Sequence, residues 1–396
     1  MTVARIRPWS RVVLAIASGS LVLMPAPTSA SSDRDEKAAA IVSKAPEGSR
    51  LEVVVTSRSA DGTPVISTVL ADTRSKARSI VARLLGREGT VGVEMSHRVS
   101  IAAYNDTYRS QQWALNALKA ETVHEKTRGS GVTVAVIDTG VKSSHSDLSG
   151  NVLSGVDYVS PGTSANDESG HGTHVAGIIA ALHNNSRGIA GFAPKAKILP
   201  VRVLDRNGSG TSANVAKGII YAADRGAKVI NLSLGSNQSS TAMQSAIAYA
   251  IGKNVLVVAA AGNSGCGLLG SATVYPAAYS GVVGVGAVTQ SMSRASFSAC
   301  GTWVDVVAPG DRIISTMIQN SVGLGCSSSA NYCTISGTSF STPYVAAAGA
   351  LAIARRGWSQ STVASRLQST ATDLSPAGKD KYTGAGFINP LKMLTS

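Results

Sequence analysis

Six almost uninterrupted apolar runs recur between residues 131 and 310 of this chain: GVTVAVI, AKILPVRVL, AKVINLSL, NVLVVAAAG, GVVGVGAV and WVDVVAPG. A strand with one face in water alternates apolar and polar residues, so runs like these belong to strands buried on both faces. Segments of helical pattern lie between them, as parallel strands require. The segment from about Thr211 is one, with Val215, Ile219, Ala222 and Ala223 forming its stripe and Gly226 its stop. The pattern predicts an α/β fold, a mainly parallel sheet with helices on both faces. With 396 residues and 44% hydrophobic content the chain can bury a large core, and at about 150 residues per domain it has room for two or three units.

The leading part reads differently. The first thirty residues carry Arg5, Arg7 and Arg11, an apolar run from Val12 to Met24, then PAPTSA. That run falls short of the roughly 20 residues that span a bilayer, and the order is that of a secretory signal cleaved after Ala30. Residues 31–103 are richer in charge and free of cysteine. Within them RLEVVVTS and TVGVEMSHRVSI read as strands and TRSKARSIVARLLG as a helix stopped by Gly86, giving a small α+β unit. Export favours disulfides for Cys266, Cys300, Cys326 and Cys333, for which three connectivities are open. Cys266 with Cys300 and Cys326 with Cys333 is the preferred set, because the second bond would pin the loop before Ser339. The net charge is +13 over the whole chain; from residue 104 onward 22 Lys and Arg against 14 Asp and Glu lie scattered with no basic run longer than Arg355-Arg356, which argues against a nucleic-acid partner.

In open α/β sheets, functional groups gather at the carboxyl ends of strands and at the helix starts that follow. Four stretches place catalytic residue types there: VAVIDTG ends on Asp138, SGHGTHVAGIIAAL opens with His171, LVVAAAGNSG carries Asn263 and SGTSFSTP opens with Ser339. Pro343 is expected in the first turn of the last helix, where a missing N–H costs little, which places the helix start near Thr338 to Phe340. Such a helix start offers unpaired N–H groups to a developing negative charge. Zinc chemistry is disfavoured, because HGTH sets its histidines three apart without a glutamate between them. An α/β-hydrolase elbow is disfavoured too, since position 341 is Ser rather than Gly.

Taken together, these four stretches resemble the signature motifs of the subtilisin-like serine proteases over residues 104–396. The resemblance implies Ser339 as nucleophile, His171 as general base and acid, Asp138 as its orienting partner and Asn263 as oxyanion donor. It implies that Ser233, Leu234 and Gly235, with Ala260, Ala261 and Gly262, line the pocket for the side chain before the scissile bond. Val274 would narrow its base. Ser209 and Gly210, in GSG with Gly208, would form the edge on which a peptide adds as a strand. Small apolar walls favour apolar or aromatic side chains. A structural Ca2+ site is implied at Asp106, Asp147 and Asn185 with the carbonyls of Arg187 and Ile189. Residues 31–103 resemble a propeptide that inhibits the enzyme until it is cut between Ser100 and Asp106. The implied protein is secreted, acts as a monomer on protein or peptide substrates, and has no stable membrane anchor.

The chain departs from the family pattern at Ser146, where proline is common, at Phe340, where methionine is usual, and at Tyr344, where histidine often stands. None of these removes a catalytic group. On sequence alone two other readings stay open, a catalytically silent relative that binds or inhibits, and a serine esterase or transacylase on the same fold.

Overall fold

A computed structural model describes residues 29–43, 45, 51–96, 104–268 and 270–396. Residues 1–28, which hold most of the expected signal segment, and 97–103, at the expected propeptide junction, lie outside the described residues. The chain forms two compact units, 1–102 and 103–396.

In the first unit the elements are α1 (Ser29–Ser43), β1 (Leu51–Arg58), β2 (Pro64–Ala71), α2 (Arg74–Leu85) and β3 (Thr90–Met95). The strands form an antiparallel sheet in the order β2-β1-β3. Alternate residues of β1, Leu51, Val53 and Val55, are buried with Ala77, Val81 and Leu84 of α2 and with Val42 of α1. Thr73 caps α2 by accepting a hydrogen bond from the Lys76 N–H. The sequence pattern predicts two strands and one helix here; the structure adds β2 and α1.

The second unit runs α3 (Trp113–Ala117), α4 (Ala120–Lys126), β4 (Thr133–Asp138), β5 (Val156–Asp157), α5 (His171–Ala180), β6 (Lys197–Arg202), α6 (Ser212–Asp224) and β7 (Val229–Leu232). It continues through α7 (Thr241–Gly252), β8 (Leu256–Ala260), β9 (Val282–Val288), β10 (Val306–Pro309), β11 (Ile313–Thr316), β12 (Tyr332–Ile335), α8 (Thr338–Arg356), α9 (Gln360–Ser369) and α10 (Pro390–Thr395). Seven strands make one sheet in the order β10-β9-β8-β7-β4-β6-β5, with every pair parallel. All six apolar runs of the sequence are strands of this sheet, and β7, β8, β9 and β10 are buried at every residue.

Two cores explain that double-sided burial. On one face α5, α8 and α10 pack with Val134, Val136, Val258 and Val285; on the other, α6 and α7 pack with Ala135, Ile137, Ile230 and Val257. The order in which strands are added reverses beside β4, which pairs with β6 on one side and β7 on the other. That is the switch point at which such sheets open a crevice.

Helix α8 lies closest to the sheet, every residue from Phe340 to Ala352 being buried. A Cβ at Gly349 would stand 2.4 Å from Leu256 Cδ2, so glycine sets this approach. The disulfides Cys266–Cys300 and Cys326–Cys333 both form. Leu351, on α8, is 0% exposed within the core. Leu351→Ala is expected to lower unfolding free energy by about 2–5 kcal/mol, the range for deleting a buried leucine side chain. Denaturant melts check this; a loss below about 1 kcal/mol would show that α8 is not packed as described.

Candidate active site

Asp138 is the last residue of β4 and His171 the first of α5. A Cβ at Gly172 would lie 2.1 Å from the Gly140 carbonyl oxygen and 3.1 Å from Asp138 Cβ. Glycine there lets α5 seat directly on the end of β4, and His171 Nδ1 comes to 2.8 Å from Asp138 Oδ1. The same oxygen accepts the Thr139 N–H at 2.7 Å. Asp138 is fully buried, and its Oδ2 has no hydrogen-bond partner among the described residues. Its charge is therefore compensated chiefly by one backbone N–H and the imidazole, an arrangement that favours the protonated ring.

Asp167 was not anticipated from the sequence, although an Asp shortly before a helix start is a capping signal. It is buried, and its Oδ1 accepts bonds from Thr139 Oγ1, the Ser169 N–H and the Gly170 N–H. Its Oδ2 accepts the Thr173 N–H and hydroxyl. Burial pushes this carboxyl above the ordinary range against the pull of those bonds. At His171, burial alone would lower the pKa, but the charge and hydrogen bond of Asp138, together with the charge of Asp167, hold it above the ordinary histidine value. His174 is a packed core residue: its Nε2 meets the Cys333 carbonyl at 3.0 Å and burial pushes its pKa down to about 3. Phe340 stacks between the two rings, 5.4 Å from His171 and 4.5 Å from His174.

Ser339 is the second residue of α8. Its N–H, in the first turn, finds no acceptor among the described residues. Beside it Asn263 Oδ1 accepts the Thr338 N–H at 2.8 Å and the Thr338 hydroxyl at 2.9 Å. The backbone N–H requires the amide oxygen on that side, which leaves the NH2 group for the cleft.

The start of α8 at Thr338 falls at the early end of the expected range, which carries Pro343 beyond the first turn. With α8 starting at Thr338 it is the sixth helical residue, so it removes the N–H that would bond the Ser339 carbonyl. That carbonyl instead accepts the Ser233 hydroxyl at 2.7 Å, and Asn231 Nδ2 in turn donates to Ser233 Oγ at 2.9 Å. The proline thus leaves an acceptor through which the end of β7 locks the start of α8. Ser339 Oγ donates to the Ser233 carbonyl at 3.1 Å; no hydrogen bond joins it to His171 in this structure.

Two pockets adjoin at Leu234 and Gly235, and the smaller one reaches Ser339. A cleft of about 630 Å³ is lined by His171, Leu204, Gly208, Ser209, Gly210, Ser233, Leu234 and Gly235. A pocket of about 340 Å³ is lined by Leu234, Gly235, Ala260, Gly262, Asn263 and Ser339, with Val274 against the two glycines. Ala261 is the exception among the expected lining residues, since it is fully buried in the core and lines neither.

Elsewhere, the loop 184–189 is gripped by two buried carboxylates. Asp106 accepts the N–H groups of Asn184 and Asn185, and Asp147 accepts the Ile189 N–H and Asn185 Nδ2. Burial pushes the Asp147 carboxyl up, against these bonds, and the neighbouring Asp106 charge adds to the rise. Neither carboxylate has an ion-pair partner, and the carbonyls of Arg187 and Ile189 accept no hydrogen bond, among the described residues. Asn185 Oδ1 accepts the Arg187 N–H, so its oxygen serves the turn and its nitrogen faces Asp147.

The profile of the subtilase family matches residues 129–386. The chain belongs to the subtilase family. It is 44% identical over 289 residues to thermitase of Thermoactinomyces vulgaris, covering 73% of this chain and 98% of thermitase. It is 41% identical over 283 residues to subtilisin Savinase of Lederbergia lenta, covering 71% and 97% of the two chains. A solved protease of Pseudoalteromonas arctica superposes with a TM-score of 0.67 at 32% identity, over 74% of this chain and 99% of that one. This subtilase is a serine endopeptidase.

Because the charge of Asp167 helps hold the His171 pKa up, Asp167→Asn is expected to move the acid limb of the kcat/KM profile to lower pH. The sign follows because the neutral imidazole is the base, and losing a nearby negative charge lowers the pH at which it loses its proton. An acid limb unmoved or raised in that variant would contradict the electrostatic account.

Proposed function

We propose that this subtilase cleaves peptide bonds through Ser339, His171 and Asp138, with Asn263 and the Ser339 N–H as oxyanion donors. The carrying observation is the 2.8 Å contact of His171 Nδ1 with buried Asp138, set beside a helix start whose Ser339 N–H and Asn263 NH2 face one cleft. On substrate binding, rotation about the Ser339 Cα–Cβ bond takes Oγ off the Ser233 carbonyl and toward His171 Nε2. The serine oxygen attacks the peptide carbonyl as its proton passes to Nε2; the carbonyl oxygen becomes an anion between the two N–H donors. His171 then gives the proton to the departing amine, and a water molecule, deprotonated by His171, hydrolyses the acyl-enzyme. Asp138 stays ionised and holds the ring through Nδ1.

The pocket at Gly235, Ala260 and Gly262 carries no charge, which supports an apolar preference for the side chain before the bond. The edge at Ser209 and Gly210 suits a substrate laid down as an extra strand. The protein acts outside the cell as a monomer, with residues 1–30 as signal and 31–103 as an inhibitory propeptide removed by self-cleavage. Ser339→Ala is expected to abolish casein hydrolysis, by about 10⁶-fold in kcat, a magnitude carried over from subtilisin. The same variant is expected to accumulate as uncleaved precursor. Intact-mass measurement checks maturation; a Ser339→Ala protein that matures normally would count against self-processing, and retained hydrolysis against the nucleophile.

The donor set around loop 184–189 fits Ca2+, a hard cation that takes six to eight oxygens. Asp106, Asp147 and the carbonyls of Arg187 and Ile189 would hold it, neutralising two carboxylates that otherwise face each other. Asn185 joins them if its amide turns its oxygen from the Arg187 N–H. Excess EDTA is expected to lower the melting temperature of the blocked enzyme by several degrees, and added calcium to restore it. An unchanged melting temperature would remove the cation from the account.

A further inference from the structure

The segment between β11 and β12 does not belong to any part of the site assigned so far. Its neck is closed by the Met317 N–H on the Asn331 carbonyl at 2.7 Å and by the Cys326–Cys333 bond. Its far end reaches the catalytic side of the sheet, where the Val322 N–H donates to the Ser169 carbonyl at 3.1 Å, two residues before His171. Between Gln319 and Asn331 the sequence is glycine, serine and other small or polar residues, with Val322 and Leu324 as its two large apolar side chains. Both are half-buried and both line the 630 Å³ cleft with His171 and Leu204. A polar, glycine-rich loop that turns its two large apolar groups into a cleft is shaping that cleft rather than covering core.

The position of this wall along a substrate follows from strand geometry. With the reactive carbonyl at Ser339 and the preceding side chain in the pocket floored by Val274, the chain runs upstream along Ser209 and Gly210. Successive side chains of an extended peptide point to opposite sides. The next side chain upstream therefore turns toward His171 and Leu204, where Val322 and Leu324 stand.

We propose that the loop 317–331, held in place by Cys326–Cys333, walls the subsite for the residue two before the scissile bond and confines it to small side chains. This rests on the catalytic reading given above. Without the disulfide, positive-φ Gly323 and Gly325 would give the loop freedom to swing outward, whereas the cross-link restricts the conformations open to it.

The test uses the mature secreted enzyme and two peptides that differ only at that position, alanine in one and leucine in the other. The double variant Val322→Ala/Leu324→Ala is expected to raise the leucine-to-alanine ratio of kcat/KM by about tenfold, the scale on which pocket size discriminates side chains. The change in ratio comes from a rise on the leucine peptide. Cys326→Ala/Cys333→Ala is expected to shift the ratio in the same direction; should that variant fail to be secreted, the apolar pair carries the test alone. An unchanged ratio with intact turnover overturns the wall, as does an equal fall on both peptides, which would make the loop a general support. If wild type cleaves neither peptide and resists a serine-directed phosphonate, the catalytic reading itself falls and the wall with it.

Discussion

The close seating of α8 on the parallel sheet is the contact on which the rest of this structure depends. Its residues from Phe340 to Ala352 are small or tightly fitted and all buried, and Gly349 lets the helix meet Leu256 without a side chain between them. A helix held that rigidly fixes its own first turn. The first turn is where unpaired N–H groups and Ser339 sit, so the reactive serine inherits its position from the core. Pro343 refines the arrangement by withdrawing one helical bond and handing the Ser339 carbonyl to Ser233. The end of β7 and the start of α8 are thereby joined by a hydrogen bond that an uninterrupted helix would not have offered.

Opposite that helix start, charge is arranged with equal economy. Asp138 and Asp167 are both buried, and among the described residues neither pairs with Lys or Arg. Their compensation comes from backbone N–H groups, threonine hydroxyls and the His171 ring. Buried carboxylates of this kind favour a positive charge on the imidazole, the charge that develops as a serine proton is taken. Phe340 packs against both the His171 and His174 rings. His171 itself stays 17% exposed, the opening through which a substrate must come.

Much of this was legible in the sequence because the strongest signals were local. Uninterrupted Val and Ile runs mark strands covered on both sides, and all six became strands of the main sheet. Such runs also hide information. When both faces of β8 are buried, nothing in the alternation says which of Ala260 and Ala261 turns toward the pocket, and Ala261 turns into the core. β2 escaped because most of its residues are exposed and show no buried alternation. The start of α8 was legible to within the range Thr338 to Phe340, but tertiary packing sets it at the early end, where Pro343 becomes consequential. Asp167 and the Ser233 bridge were missed for a related reason: their roles come from atoms distant in sequence. The loop 317–331 carried no periodic signal, and only its fold toward Ser169 gives it meaning.

The account turns on whether Ser339 Oγ leaves Ser233 and whether Asn263 and the Ser339 N–H converge on one oxygen. A crystal structure of the mature enzyme labelled with a peptidyl phosphonate measures both at once. The account predicts a covalent bond to Ser339 Oγ and a phosphonyl oxygen within about 3 Å of Asn263 Nδ2 and of the Ser339 nitrogen. His171 should stay bonded to Asp138. An adduct whose oxygen points away from Asn263, or a protein that folds, matures and refuses the label, would contradict it.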